Sequence, residues 1–318
     1  MSAKPCRVFI AGHNGMVGRA LCRRFADKSE FELITRSRCE LDLTSQLAVS
    51  EFFQQEKPDW VVIAAAKVGG ILANRDFPAQ FIYENLMIES NLIHSAWQNN
   101  VQRLLFLGSS CIYPKLTMQP IVEQSLLTGG LEPTNEAYAV AKIAGIKLCE
   151  SYAKQYGVDF RALMPTNLYG PFDNFHPEHS HVIPGLIRRM HQAKLENSPS
   201  LTIWGSGLAR REFLHVDDLA AACLMYLQLS KTELAAHGDA FLHHLNVGTG
   251  TDLSIAELAR LLADVIGYQG QLAFDSSLPE GTLLKRLDVT KIQQLGWQAN
   301  IDLADGLRST YQWFLQQE

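Results

Sequence analysis

The 318-residue sequence is poor in the features that mark several large classes of protein. It has no basic excess: 28 lysines and arginines stand against 33 acidic residues, a formal net charge of −5, which argues against a dedicated nucleic-acid surface. Cysteines are few and scattered, at 6, 22, 39, 111, 149 and 223, with no C-x-x-C pair and no metal-finger spacing. That argues against a disulfide- or zinc-built scaffold and predicts reduced, mostly buried thiols in a cytoplasmic protein. The longest clean apolar run, 60–66, falls far short of the about 20 residues that cross a bilayer. Internal repeats, low-complexity tracts and charge blocks are missing. A short polar stretch reaches a strand-like segment at 7–11 almost at once, so no secretory leader is expected.

What is present reads as a globular chain, 47% hydrophobic and 19% charged, long enough to bury about three quarters of its unfolded surface. Strand-like apolar runs at 7–11, 31–35, 60–66, 103–109 and 159–164 alternate with helical patterns near 16–27, 46–56, 78–99 and 136–156. Continuously apolar strands separated by helices predict an α/β fold, a doubly wound parallel sheet of the Rossmann type covered on both faces. Beyond Pro165 the pattern loosens, and helical periodicity returns near 182–195, 216–229, 254–267 and 302–317. A smaller α/β substrate lobe is expected from 170–213 and 250–318. The dinucleotide-binding domain takes 1–169 and about 214–249.

The first strand runs into GHNGMVG, which sets Gly12, Gly15 and Gly18 three apart before a helix. Such glycines let backbone N–H groups and a helix N-terminus approach a pyrophosphate. At the end of the second strand, where NAD-binding folds usually carry an acid, the sequence reads Thr35-Arg36-Ser37-Arg38. Two guanidiniums there favour a 2′-phosphate, hence NADP(H) over NAD(H), with Asp42 and Leu43 bordering the adenine.

Tyr138 and Lys142 are four apart and so share one helix face. A phenol of pKa about 10 becomes a useful acid–base group when an ammonium stabilises its phenolate. Ser109 lies at the C-terminal tip of the strand ending LGSS, where open parallel sheets bind ligands, and can donate a hydrogen bond to a carbonyl.

With these residues in place, the chain resembles the extended short-chain dehydrogenase/reductases, many of which act on nucleotide sugars. AAAKVGGI (64–71), FLGSSCIYPK (106–115), PTNLYGPFDNFHPEHSHVIP (165–184), WGSGLARREFLHVDDLA (204–220) and LNVGTG (245–250) extend the likeness over nearly the whole chain. The segments around Cys111 and His181 narrow it to the family of bifunctional 3,5-epimerase/4-reductases of GDP-4-keto-6-deoxy-D-mannose. That resemblance implies a cofactor site extending to Asn14, Met16, Val17, Ala65, Leu107, Gly108, Lys142, Pro165, Asn167, Leu168 and His181. It also implies a homodimer paired through the helices near 78–99 and 136–156, which would form a four-helix interface. Asn14 stands where many members carry an arginine for the 2′-phosphate, leaving that task to Arg36 and Arg38.

The implied substrate has a C4 ketone that acidifies its C3 and C5 protons. Epimerisation needs a base on one face of the sugar and an acid on the other. Cys111 is the expected base and His181 the expected acid; an imidazole paired with the thiol would also lower its pKa. His176, His179 and His181 cluster without a partner carboxylate or thiolate at ligand spacing, so a lid over the sugar is expected and no metal. Arg189, Arg211 and Lys285 lie in segments that resemble the family's GDP pocket, Trp204 offers a stacking face, and Asn167 touches substrate. Two rivals stand beside this reading. One is another nucleotide-sugar 4-ketoreductase or 4-epimerase; the other is a non-catalytic NADP(H) sensor, against which Ser109, Tyr138 and Lys142 together argue.

Overall fold

The apolar runs become strands buried on both faces, as their lack of polar alternation requires. A computed structural model describes residues 4–177, 179–239, 243–278 and 281–317. In chain order its strands are β1 (Cys6–Ala11), β2 (Phe31–Ile34), β3 (Trp60–Ile63), β4 (Arg103–Leu107), β5 (Asp159–Pro165), β6 (Asn167–Tyr169), β7 (Ser200–Trp204), β8 (Arg210–Arg211), β9 (Phe213–His215), β10 (His244–Val247), β11 (Leu253–Ser254), β12 (Gln271–Asp275) and β13 (Leu284–Lys285). Its helices are α1 (Met16–Ala26), α2 (Gln46–Glu56), α3 (Ile71–Asp76), α4 (Pro78–Gln98), α5 (Glu136–Tyr156), α6 (Val182–Leu195), α7 (Val216–Gln228), α8 (Lys231–Ala236), α9 (Ile255–Ile266), α10 (Thr290–Gln294) and α11 (Leu303–Leu315).

Six strands form one parallel sheet in the order β2-β1-β3-β4-β5-β10. The order reverses between β1 and β3, and a crevice opens beyond their carboxyl ends. Ala11 sits opposite Ile63, and Ile63 opposite Phe106, so the tips of three strands reach that crevice together. Helices α4 and α5 pack side by side against the sheet. Pro78 opens α4, where a missing N–H costs nothing, and Gly157 at φ +69° closes α5. Among the described residues no helix is long and apolar enough to cross a membrane.

Two hydrophobic cores are separate. The larger lies on both faces of the sheet and includes Phe9, Val62, Leu105, Ile146, Leu163 and Leu219, together with Leu287, Ile292 and Trp297 from far along the chain. The smaller joins α6, α9 and α11 through Ile187, Leu262, Leu307 and Phe314. Glu212, wholly buried, ties the two regions together. Its carboxylate accepts from the backbone N–H groups of Gly250 and Leu287, each at 2.8 Å, and its carbonyl accepts from the Asn167 amide at 2.8 Å. The strands the sequence did not show, β6 to β9 and β11 to β13, are two to five residues long and several are half-exposed. They carry too little apolar period to stand out from loop.

Candidate active site

The first glycine of the phosphate loop is required by its surroundings. Gly12 has φ +87°, and a Cβ there would lie 2.6 Å from the Ala65 nitrogen at the β1–β3 crossover. A Cβ on Gly18 would lie 2.1 Å from the Gly12 carbonyl oxygen, so α1 can press onto the loop only at glycine. Gly15 caps α1 with no side-chain hydrogen bond, and its own Cβ position is unobstructed. Met16 and Val17 follow in the first turn. The loop thus presents a bare helix N-terminus to the crevice, which fits a pyrophosphate. Gly12→Ala is expected to cost about 1–3 kcal/mol of stability, from the forced left-handed conformation, and to weaken NADPH binding. Urea unfolding and a cofactor titration check both.

The two arginines beyond β2 part company. The Arg36 guanidinium pairs with Glu56 of α2, donates to the Thr35 carbonyl at 2.8 Å and lies over the Phe52 ring. Arg38 is 82% exposed, with Glu84 at 3.8 Å and the Asp42 carboxylate also near it. Arg38 is therefore the more accessible guanidinium for a phosphate, and it lines an open depression of about 490 Å³ with Thr44, Gln80, Tyr83 and Glu84. The Asp42 carboxylate is turned onto the backbone and hydroxyl of Thr44, which hold it below its ordinary pKa. The Leu43 carbonyl accepts from Asn91.

At the tip of β4 the chain passes from Leu107 and Gly108 into a short 3-10 turn, Ser110–Ile112. The Ser109 hydroxyl caps it, accepting from the Cys111 N–H at 3.4 Å, so serine and cysteine are set side by side. From α5, Lys142 is buried, donates to the Leu107 carbonyl at 2.9 Å and lies over the Phe106 ring. The Tyr138 ring packs edge-on to Phe81, with the Lys142 nitrogen 5.9 Å from its centre. The expectation that this ammonium lowers the tyrosine needs correcting. Burial dominates and pushes Tyr138 well above its ordinary value, Cys111 and Glu89 add to the rise, and only a hydrogen bond with Ser109 opposes it. The Lys142 ammonium is committed to Leu107 and stands back from the phenol. Tyr138 is accordingly a protonated group, which is the form an acid needs.

Cys111 is buried, and desolvation raises its pKa; the groups that oppose the rise are Lys285 first, then the Ser109 hydroxyl and Lys142. The cation beside the thiol is thus Lys285, and the suggested pairing with His181 is not what the structure places there. His181 caps α6, its ring makes no hydrogen bond among the described residues, and enough protein surrounds it to lower its pKa although solvent reaches it. The segment before it is seated on Gly70, whose N–H donates to the His179 carbonyl and whose Cβ position lies 2.9 Å from the Ser180 carbonyl oxygen. Among the described residues no group of three or more histidines, cysteines or acids is arranged to hold a metal.

Three further expected residues are cations. Lys285 and Arg211 are register partners on β13 and β8. Two like charges opposite one another destabilise a ladder unless an anion joins them. Burial lowers Lys285 and Arg211 lowers it further, while Cys111 and the Glu132 carboxylate pull it back up. Arg189 on α6 is half-buried, lowered by desolvation, and has no ion-pair partner among the described residues. Trp204 is exposed at the end of β7. Asn167 and Leu168 begin β6, beyond Pro165 and Thr166, with the Asn167 amide held by Glu212.

Residues 8–248 match the NAD dependent epimerase/dehydratase family. The chain belongs to that family. Within it, the chain is 58% identical to the GDP-L-fucose synthase of Escherichia coli (strain K12) over 98% of this chain and 97% of that protein. It is 51% identical to GDP-L-fucose synthase 1 of Arabidopsis thaliana, over 99% and 95%. A Campylobacter jejuni GDP-D-glycero-L-gluco-heptose synthase, solved in the presence of NADPH, superposes with a TM-score of 0.91 at 37% identity, covering 99% of this chain and all of that one.

In this member of the family two acids escaped the sequence reading. Glu212 braces the strands that carry Arg211 and Lys285. Glu89 lies beneath the Tyr138–Lys142 face, only 1% exposed. The available signal was an acid on the apolar side of the helical pattern of 78–98, where Glu84 is the other acid, together with a glycine, Gly145, in the middle of the helix facing it.

Proposed function

We propose that the chain converts GDP-4-keto-6-deoxy-D-mannose to GDP-L-fucose, epimerising C3 and C5 and then reducing the C4 ketone with NADPH. The observation that carries this reading is the convergence of Ser109, Cys111, Tyr138 and Lys142 on one strand tip and one helix face, with Lys285 beside the thiol. The near-full-length likeness to GDP-L-fucose synthases supports it. Segments outside the parallel sheet carry the substrate contacts: Arg189 and Arg211 hold the diphosphate, Lys285 lies between Arg211 and the Cys111 thiol, and Trp204 stacks on the base.

In the epimerisation Cys111 takes the proton from C3 or C5 on one face, and His181 delivers one to the other. In the reduction Ser109 donates to the C4 oxygen and Tyr138 gives it a proton, while Lys142 holds the nicotinamide ribose. The cofactor, when bound on the glycine loop, supplies the hydride. The test is incubation with GDP-4-keto-6-deoxymannose and either NADPH or NADH in deuterated water, with NMR of the product. NADPH consumption, deuterium at C3 and C5 and an L-configured sugar are expected. A D-configured product refutes the epimerase half.

The pH dependence follows from the two shifts. Cys111 is raised and His181 lowered, so at neutral pH the pair rests as thiol and neutral imidazole. The working pair, thiolate and imidazolium, holds the same number of protons and fills less than about one molecule in a hundred. Its share does not change with pH until His181 gains a proton below its lowered value or Cys111 loses one above its raised value. Wash-in of solvent deuterium is therefore expected to stay flat from about pH 6.5 to about 8.5. A limb inside that interval contradicts the assignment.

A homodimer through α4 and α5 completes the proposal. The two helices pack together and leave Tyr83, Val140 and Tyr156 exposed. Light scattering is expected to give twice the 35.5 kDa of one chain; the single-chain mass overturns it. Six free thiols fit a reducing, cytoplasmic setting.

A further inference from the structure

A carboxyl group with no role in the steps above lies in the floor of the site. Glu89 projects from α4 toward α5 and is 1% exposed. Among the described residues no side chain hydrogen-bonds either of its oxygens, and the one polar group close enough to act on them is the Gly145 backbone N–H. A buried carboxyl normally finds a full set of partners, because leaving a bond unmade costs more than the bond returns. What lies against it is the backbone of Gly145: a Cβ there would stand 2.9 Å from one Glu89 oxygen and 2.4 Å from the Phe106 ring. That ring is the one over which the Lys142 ammonium sits, at 4.6 Å from its centre. Positions 138, 142, 145 and 149 follow one another down a single face of α5. Glu89 thus lies about one turn beneath Lys142 and two beneath Tyr138, in a slot that only a glycine on α5 leaves open.

We propose that Glu89 is a positioning residue for the reduction, setting the charge beneath the Tyr138–Lys142 pair and so the readiness of the Tyr138 hydroxyl to give up its proton. This rests on the reductase reading above. The groups that face Glu89 from α5 are Lys142, Tyr138 and Cys149; from β4 comes only the Phe106 ring. Burial pushes Glu89 up to about 8, against the pull of Lys142 and of the Gly145 backbone N–H. While it keeps its proton, nothing negative lies under the phenol. Once it loses the proton, its negative charge resists formation of a tyrosinate directly, so Tyr138 becomes a weaker acid.

The experiment replaces the charge and reads Tyr138 directly. In the NADPH complex of the full chain, the tyrosinate absorbance of each variant is compared with that of the same variant carrying Tyr138→Phe, which isolates one phenol among nine. Glu89→Gln is expected to move the Tyr138 midpoint down by about one pH unit, the size expected for removing one nearby charge. The base limb of ketone reduction should move down with it. Should the buried amide of that variant prevent folding, Glu89→Leu removes the same charge from an apolar slot and must give the same downward move. Glu89→Asp keeps a titrating carboxyl and is expected to stay near the wild-type midpoint.

An unmoved midpoint in the Gln and Leu variants overturns the proposal. So does an equal move in Asp and Gln, which would mark packing rather than charge. A loss of rate that is uniform across pH also counts against it. The titration needs no sugar substrate. If the wild-type protein fails to consume NADPH with the ketone, the reductase reading falls while the Tyr138 midpoint still decides the place of Glu89.

Discussion

Tyr138→Phe is expected to slow NADPH consumption by about 10²–10⁴-fold, the usual worth of a positioned acid. The hydroxyl is the only part of the side chain that the change removes. The ring keeps its edge-on packing against Phe81, and Lys142 keeps its bond to the Leu107 carbonyl. Burial holds the phenol well above its ordinary pKa, so throughout the neutral range it stands ready as a donor to the C4 oxygen. Without it that oxygen must find a proton from Ser109 or solvent while the hydride arrives. Epimerisation uses the thiol and the imidazole, so deuterium wash-in at C3 and C5 should continue in the variant and trap the epimerised ketone. The two rates are read separately, by absorbance of NADPH and by NMR. Consumption within tenfold of wild type, or equal loss of wash-in, would remove Tyr138 from the role of proton donor.

Cys111→Ser is expected to have the opposite profile. A serine hydroxyl is far less acidic than a thiol, and the ammonium of Lys285 that opposes the desolvation of Cys111 is not enough to ionise it. Loss of the base should lower wash-in by about 10²-fold or more. Sulfur-to-oxygen replacement changes little else: the backbone N–H of residue 111 still bonds the Ser109 hydroxyl, which keeps its place at the tip of β4. Reduction of a ketone that is already epimerised should therefore stay within a few-fold of wild type. Together the two variants separate the steps. If Cys111→Ser loses both rates in equal measure, the thiol supports the site and is not its base.

Much of this site was legible because its signals are local. Glycines at 12, 15 and 18 sit between a strand and a helix, and Tyr138 and Lys142 are four apart on a helix. Ser109 and Cys111 end one apolar run. Each pattern lies within a dozen residues, where strand and helix periods fix which side chains share a face. The resemblance then carried His181, Arg189, Trp204, Arg211 and Lys285. Partners distant in the chain were not legible. That Arg36 pairs with Glu56 of α2, leaving Arg38 the more exposed of the two arginines, could not be read from the sequence. Lys285 looked like one more pocket cation until β13 set it beside Arg211 and the fold turned it toward Cys111.

The sequence by itself determined the parallel sheet, the nucleotide loop, the helix face that holds Tyr138 and Lys142, and the placing of a serine and a cysteine at one strand tip. Those follow from short-range sterics and the burial of apolar runs. Only the tertiary structure decided which charge meets which: that Tyr138 stays protonated, that Lys285 rather than His181 stands by the thiol, that Arg38 is more exposed than Arg36, and that Glu89 lies under the reactive pair. The reason is physical. A pKa or an ion pair depends on distance and on the water excluded around it, and both are settled by residues 20 (Arg36 and Glu56) to 174 (Cys111 and Lys285) positions apart that share no period in the chain.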